Sequence, residues 1–366
     1  MRRPIVPSLL ILLSLAGCSQ YQPIDAAAYI RGEYVKRVGP DLARRIEVPF
    51  ALDEKVQAAF DKVRPAPSEH DKVKQVLDFV FQRMDLQYEL TPTRNAVAVF
   101  ETRKGNCLSF VNLFVGLARQ RGLNPFYVEV TDYQTWNHRE GMVVSQGHIV
   151  GGVYLDGELK TYDFLPYHPK AYRKFKPIDD LTAVAHYYNN LGAEALMRGD
   201  AAAARPLLEI ATGVAPRFEK ALNNMGIAVA RAGQLDRAVE IYQRGLGITP
   251  DDPILLTNLA RAYQELGRRE EADRTLQRVE ELNISNPYFF VYQGEAALNR
   301  GDEAKALDYL TRALRLDSEA PEVHLGFVKV FLARGEMERA RHHLERALKL
   351  DPTNRQAREY ARMLRP

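Results

Sequence analysis

The chain reads as an α+β domain followed by an all-α solenoid, and three features of its 366 residues predict this. Glycines at 199, 233, 267, 301 and 335 recur every 34 residues, the spacing of stacked helix pairs. Two runs rich in β-branched and aromatic residues, 148–155 and 158–164, flank Asp156-Gly157, a strong hairpin signal. Upstream of them, Lys104-Gly105-Asn106-Cys107-Leu108-Ser109 leads into apolar residues at three- and four-residue spacing: Phe110, Val111, Phe114, Leu117 and Ala118. That period predicts a helix ending at Gly122, with Cys107 in its first turn. There the unpaired N–H groups and the helix dipole favour a thiolate and offer donors to the oxyanion of an attacked carbonyl.

Composition is that of an ordinary globular protein, with 46% hydrophobic and 27% charged residues. The formal charge of +3 includes Arg2 and Arg3, so the chain without them is near neutral and has no electrostatic footprint for nucleic acid. Met1-Arg2-Arg3 precedes a short apolar run, 9–15, too short to span a bilayer, and then Leu15-Ala16-Gly17-Cys18. This last string resembles the lipobox of bacterial lipoproteins. The resemblance implies a signal peptide over 1–17, cleavage before Cys18 and lipidation of that cysteine, which would anchor the protein to a membrane of the cell envelope. Ser19 after the cysteine leans toward the outer membrane, facing the periplasm. The only other cysteine is Cys107, so lipidation of Cys18 leaves a single thiol in an oxidising compartment. That thiol is either a buried hydrophobe or a reactive group.

In chain order, 18–52 is expected to be a tether with a short helix over 26–38. Helices are predicted over 53–63 and 68–84, separated by Pro65 and Pro67, with Ser68 as N-cap and Asp71 at N3. Residues 86–101 form a less regular approach to the cysteine helix. Beyond it, 126–130 alternates as a strand, 132–140 is polar and reads as a loop, and the hairpin follows. A two-residue loop at Asp156-Gly157 puts Leu155 opposite Glu158 and, counting outward, Val150 opposite Asp163. His148 has the parity of Val150, so it lies on the face of Asp163, diagonally placed.

A cysteine at a helix start with a histidine and an aspartate on adjacent strands is the arrangement acyl transfer requires. The histidine takes the thiol proton, and the aspartate fixes its tautomer and steadies the imidazolium. Gly105-Asn106-Cys107-Leu108-Ser109, with Leu113, Leu117, Ala118, Arg119 and Gly122, resembles the core motif of the transglutaminase-like superfamily. His148, Tyr154-Leu155-Asp156-Gly157 and Asp163-Phe164 resemble its second and third motifs. The resemblance covers about 68–168, within a domain expected over 53–168. It implies a papain-like α+β fold with Cys107 as nucleophile, His148 as general base and Asp163 as orienter. Ile149-Val150 stands where family members often carry an aromatic residue. Tyr88 and Trp136 are the candidates for a side-chain oxyanion donor, and His138 is the competing base. His70, His168, His186, His324, His342 and His343 show no paired metal spacing, so neither metal nor cofactor is expected.

After a basic, proline-containing connector over 169–184, the 34-residue period holds for alanines 204, 238, 272, 306 and 340 and for the small residues Gly192, Gly226, Ala260 and Gly294. Val328 takes the fifth small position. Prolines 216, 250 and 352 keep the period, with Ile284 and Ser318 at the remaining joints. The pattern is that of the tetratricopeptide (TPR) repeat: five repeats over 185–352, with 353–366 as a capping helix. Resemblance to that family implies a concave groove lined here by Asn189, Lys220, Asn223, Arg231, Arg261, Gln264, Tyr288 and Lys329, binding a peptide or a partner protein. The expectation is therefore an envelope-anchored cysteine peptidase or amidase acting on a peptide or protein, hydrolysis being favoured over transfer to an amine. The competing reading is a non-catalytic envelope scaffold.

Overall fold

The computed structural model describes residues 26–139, 142–164, 174–282, 284, 287–352 and 354–364, with the backbone alone described at 26, 27, 131–139, 142–147, 288 and 355. Cys18, the 1–17 segment and His168 lie outside the described residues. The first helix, α1 (Ala26–Ala43), runs further than the sequence reading and kinks at Gly39-Pro40. Helix α2 (Glu54–Asp61) is capped by Asp53 and α3 (Glu69–Asp78) by Ser68, whose hydroxyl accepts from Asp71 N; a π-turn at Phe79–Arg83 finishes α3.

The approach to the cysteine is more regular than expected. It holds a short strand, β1 (Gln87–Tyr88), and a helix, α4 (Ala96–Thr102), capped by Asn95. The helix is only seven residues long, too short to carry a legible period. Strand β2 (Lys104–Gly105) pairs with β1 and delivers the chain into α5 (Cys107–Gln120). Every residue of α5 from Leu108 to Ala118 is buried, the mark of a helix at the centre of a domain. At ~1.5–3 kcal/mol for each large apolar side chain removed from water, it anchors the first core.

Four strands follow in the order β5-β4-β3-β6: β3 (Phe126–Arg139), β4 (Met142–Leu155), β5 (Glu158–Tyr162) and β6 (Phe175–Ile178). The polar stretch read as a loop is a correction: 132–139 continues β3 and pairs with β4 as far as Arg139↔Met142, past an irregularity between Val130 and Gln134. The backbone hydrogen bonds of a paired ribbon require no apolar alternation in its side chains, so a polar stretch can be a strand. Part of the supposed connector is also a strand. β6 adds to the outer edge of β3, and its Pro177 is tolerated because an edge strand need not donate on both sides.

Helices α6 (Asp180–Met197) to α15 (Met337–Leu350) then alternate as five antiparallel pairs, closed by α16 (Arg355–Met363). The periodic glycines 199, 233, 267, 301 and 335 all have φ between 72° and 80°, the left-handed turn between helices of a pair. The periodic small residues sit where the two helices of a pair meet. A Cβ on Gly192 would lie 2.6 Å from Leu208, and one on Gly226 2.2 Å from the Tyr242 ring. The first pair shares a core with the α+β domain, since Val184, Tyr187, Ile210 and Val214 join the cluster built on Phe60, Leu113, Phe114 and Tyr127. Polar contacts fasten the same junction. Arg119 pairs with Asp180 at 2.7 Å, the Tyr188 hydroxyl accepts from Glu47 N at 2.8 Å, and Arg37 donates to Val214 O at 2.7 Å.

Candidate active site

Asn106 is the N-cap of α5, its Oδ1 accepting from Ser109 N at 3.0 Å, so Cys107 is the first helical residue. Phe110 N is taken by Asn106 O, which leaves the Cys107 and Leu108 N–H groups at the helix start for an incoming oxyanion. The Cys107 side chain is partly exposed.

The hairpin delivers the other two residues. Asp156 and Gly157 both have positive φ, 52° and 79°, which is the type I′ loop that joins strands with native twist. Pairing runs from Leu155↔Glu158 to Gly151↔Tyr162, so Asp163 follows opposite Val150. The diagonal closes as counted: His148 Nε2 lies 2.9 Å from Asp163 Oδ1. His148 is 2% exposed, so the carboxylate is its means of holding a proton away from water. Burial lowers the imidazole pKa, but hydrogen bonds to Asp163 and to the Cys107 thiol, with their charges, outweigh it and push it up to about 9. With Nε2 committed to Asp163, Nδ1 is the nitrogen left to the thiol. Cys107, His148 and Asp163 therefore form one connected chain of groups.

Tyr88, on β1 opposite Gly105, stacks edge-on against Phe110, with centroids 6.4 Å apart, directly before the cysteine. Trp136 lies in the outer ribbon opposite Ser145, and its side chain is outside the described set. His138 pairs with Val143, on the order of 15 Å from His148 by strand rise, so the competing base is not in the site. Among the described residues no three His, Cys, Asp or Glu side chains stand together as a metal-ligand set. His186 stacks on Phe218 with centroids 4.3 Å apart, and burial, with Lys220 beside it, pushes it down to about 4, a neutral core histidine. His324 and His343 share a hydrogen bond at 3.0 Å within the fifth repeat.

The partners that hold the polar residues of the cysteine helix are not evident from the motif. Asn106 Nδ2 donates to Thr93 Oγ1 at 2.8 Å, Ser109 Oγ accepts from Arg94 N at 2.8 Å, and Asn112 Oδ1 accepts from the Tyr127 hydroxyl at 2.8 Å. Ser109 and Asn112 are completely buried on an otherwise apolar helix. Buried polar residues at three-residue spacing signal partners arriving from another segment.

The groove residues separate into two groups. Arg231 and Arg261 line a cavity with Tyr242, Asn258, Glu265 and Tyr292, between the second, third and fourth repeats, where Arg261 pairs with Glu265 at 2.9 Å and Arg231 donates to Leu196 O at 2.6 Å. The others fall elsewhere. Lys220 pairs with Glu129 on β3 at 2.5 Å, tying the second repeat to the sheet, and Lys329 pairs with Glu295 at 2.5 Å. Asn189 accepts from Asn224, and Asn223 from Asn258, as rungs between successive repeats. Gln264 is half-buried and lines no part of the cavity, and the Tyr288 side chain lies outside the described residues.

A papain-like α+β domain joined to a helical-repeat solenoid is thus the class of protein defined by the fold. Residues 56–169 match the family model of the transglutaminase-like superfamily, and 189–253, 229–285 and 297–364 match tetratricopeptide repeat models, so the chain carries a transglutaminase-like core domain followed by TPR repeats, a module of protein–protein interaction. No curated protein matches the chain. Among solved structures it is similar to a thermophilic TPR protein of Thermus thermophilus, at 22% identity over 49% of this chain and 98% of that one, TM-score 0.43. It is also similar to PilF of Pseudomonas aeruginosa, at 22% identity over 49% of this chain and 86% of that one, TM-score 0.36.

Proposed function

We propose that the protein is a membrane-anchored cysteine hydrolase of the cell envelope that cleaves an amide bond in a peptide or protein. The observation that carries this reading is Cys107 in the first turn of its helix, joined to His148 and Asp163 from the hairpin, within a transglutaminase-like domain. The Cys107 thiolate attacks the amide carbonyl, and the developing oxyanion meets the Cys107 and Leu108 N–H groups. The His148 imidazolium gives its proton to the departing amine, leaving a thioester on Cys107. Water then attacks the thioester while His148 accepts its proton, and the acid leaves with the thiolate restored. Asp163 steadies the imidazolium throughout. Water, abundant in the envelope, is favoured as acceptor over an amine.

The repeats would bind the substrate protein or a partner, in keeping with the general role of such repeats in protein–protein interaction. Support for the anchor comes from Leu15-Ala16-Gly17-Cys18 behind its basic and apolar segments. Cys18→Ser should move the protein out of the membrane fraction or leave it unprocessed; mature, membrane-bound Cys18→Ser protein would refute the anchor. The catalytic reading is tested by exposing the full chain to an activated ester, p-nitrophenyl acetate, and locating the acyl group by mass spectrometry. A thioester on Cys107 that forms in wild type and is lost in His148→Ala is expected. An inert thiol would leave the non-catalytic scaffold as the surviving reading.

A further inference from the structure

The N-cap that presents Cys107 is held from the other domain. Glu194, on α6 of the first repeat, is 6% exposed, and its Oε1 accepts from Thr93 N at 2.7 Å and from Thr93 Oγ1 at 2.8 Å. Thr93, 4% exposed, spends its hydroxyl proton on Glu194 and turns its lone pair to Asn106 Nδ2 at 2.8 Å. Asn106 Nδ2 also donates to Leu90 O at 3.2 Å, and its Oδ1 accepts both Ser109 N and Ser109 Oγ. The line from the repeat to the nucleophile is therefore Glu194, Thr93, Asn106, Cys107, its first three members all buried.

A buried carboxylate with a backbone N–H and a hydroxyl on one oxygen is a costly device if its sole role is packing. Burial raises the Glu194 carboxyl, and the two Thr93 donors oppose that. The charges of Arg198 and Arg94 also act to lower it. What the carboxylate fixes is directional: it sets the Thr93 hydroxyl proton, which in turn sets the rotation of the Asn106 amide, with Nδ2 toward Thr93 and Oδ1 toward Ser109. With the amide reversed, Oδ1 would leave the Ser109 N–H, the cap would be lost, and the first turn that carries Cys107 would fray.

We propose that Glu194 is a positioning residue through which the first TPR repeat holds the N-cap of the cysteine helix, so that displacement of α6, as by a protein bound to the repeats, changes the reactivity of Cys107. The inference rests on Cys107 being the nucleophile. It makes the first repeat a working part of the active site rather than an appended binding module, in keeping with the core the two share.

The test uses the full chain as Glu194→Gln, Glu194→Ala, Leu344→Ala and His148→Ala beside wild type, with two readouts. One is the rate of Cys107 acylation by p-nitrophenyl acetate, and the other is amide hydrogen exchange over 104–112. Gln keeps an oxygen acceptor for both Thr93 donors, so Glu194→Gln should stay within about threefold of wild type in both readouts. Glu194→Ala should slow acylation by about tenfold or more and raise exchange at the start of α5. Leu344→Ala opens packing in the fifth repeat, away from α6, and it should leave both readouts near wild type even with its Tm lowered. Equal acylation in Glu194→Ala and wild type, or equal loss in Leu344→Ala, would overturn the proposal, as would unchanged exchange over 104–112 in Glu194→Ala. If wild type and His148→Ala acylate alike, the catalytic reading fails instead, while the exchange data still decide whether Glu194 holds the cap.

Discussion

Burial alone would lower the His148 imidazole; the hydrogen bonds to Asp163 and Cys107, with their charges, reverse this and push it up to about 9. Because the folded value lies above the unfolded value of about 6.5, the protonated ring contributes stability. That contribution is fully present below about pH 6.5 and is lost as pH rises through about 9. Asp163→Asn removes the charge and keeps the shape. Its deficit against wild type should be on the order of 1–2 kcal/mol at pH 6 and shrink toward pH 9, read as urea midpoints. A deficit constant across that range would mean that His148 is neutral throughout. The pairing of His148 with Asp163 was legible from the sequence because a two-residue hairpin leaves one register, and counting from Asp156-Gly157 suffices. Thr93 and Glu194 were not legible: 101 residues separate them, and neither stands in a periodic pattern that points at the other.

Elements differ in how openly they declare themselves. The helix pairs of the solenoid were readable because the same small residue must recur wherever two helices touch, and Gly226 is the tightest such point. Its Cβ position lies 2.2 Å from the Tyr242 ring, itself buried in the second core. Gly226→Ala should therefore cost about 1–3 kcal/mol, while Gly32→Ala, on α1 with open space around it, should be neutral or stabilising by roughly 0.5–1 kcal/mol. Thermal unfolding of the two variants checks the contrast, and equal midpoints would contradict it. The elements that escaped reading, α4, the outer half of β3, and β6, share a physical cause. Each is short, polar or proline-containing, and each is stabilised by neighbours that the local sequence does not name.

At the scale of the whole molecule, the boundary drawn between a thiol domain and a repeat array divides the sequence better than it divides the structure. The first pair, α6 and α7 (Ala201–Val214), buries its apolar faces in the core that surrounds α5, and Lys220 reaches back from α8 (Glu219–Arg231) to Glu129 on the sheet. If Cys107 is catalytic, a repeat array built in this way would carry a bound protein's influence to it through the shared core. Among the described residues no helix is long and apolar enough to cross a membrane. The central claim, that Cys107 is a nucleophile activated by His148, is tested most directly by rapid mixing of the full chain with excess p-nitrophenyl acetate at pH 7. The account predicts a burst of about one equivalent of p-nitrophenolate, an acetyl thioester on Cys107, no burst in Cys107→Ala, and a burst at least about a hundredfold slower in His148→Ala. No burst in wild type, or a burst that persists in Cys107→Ala, would contradict it.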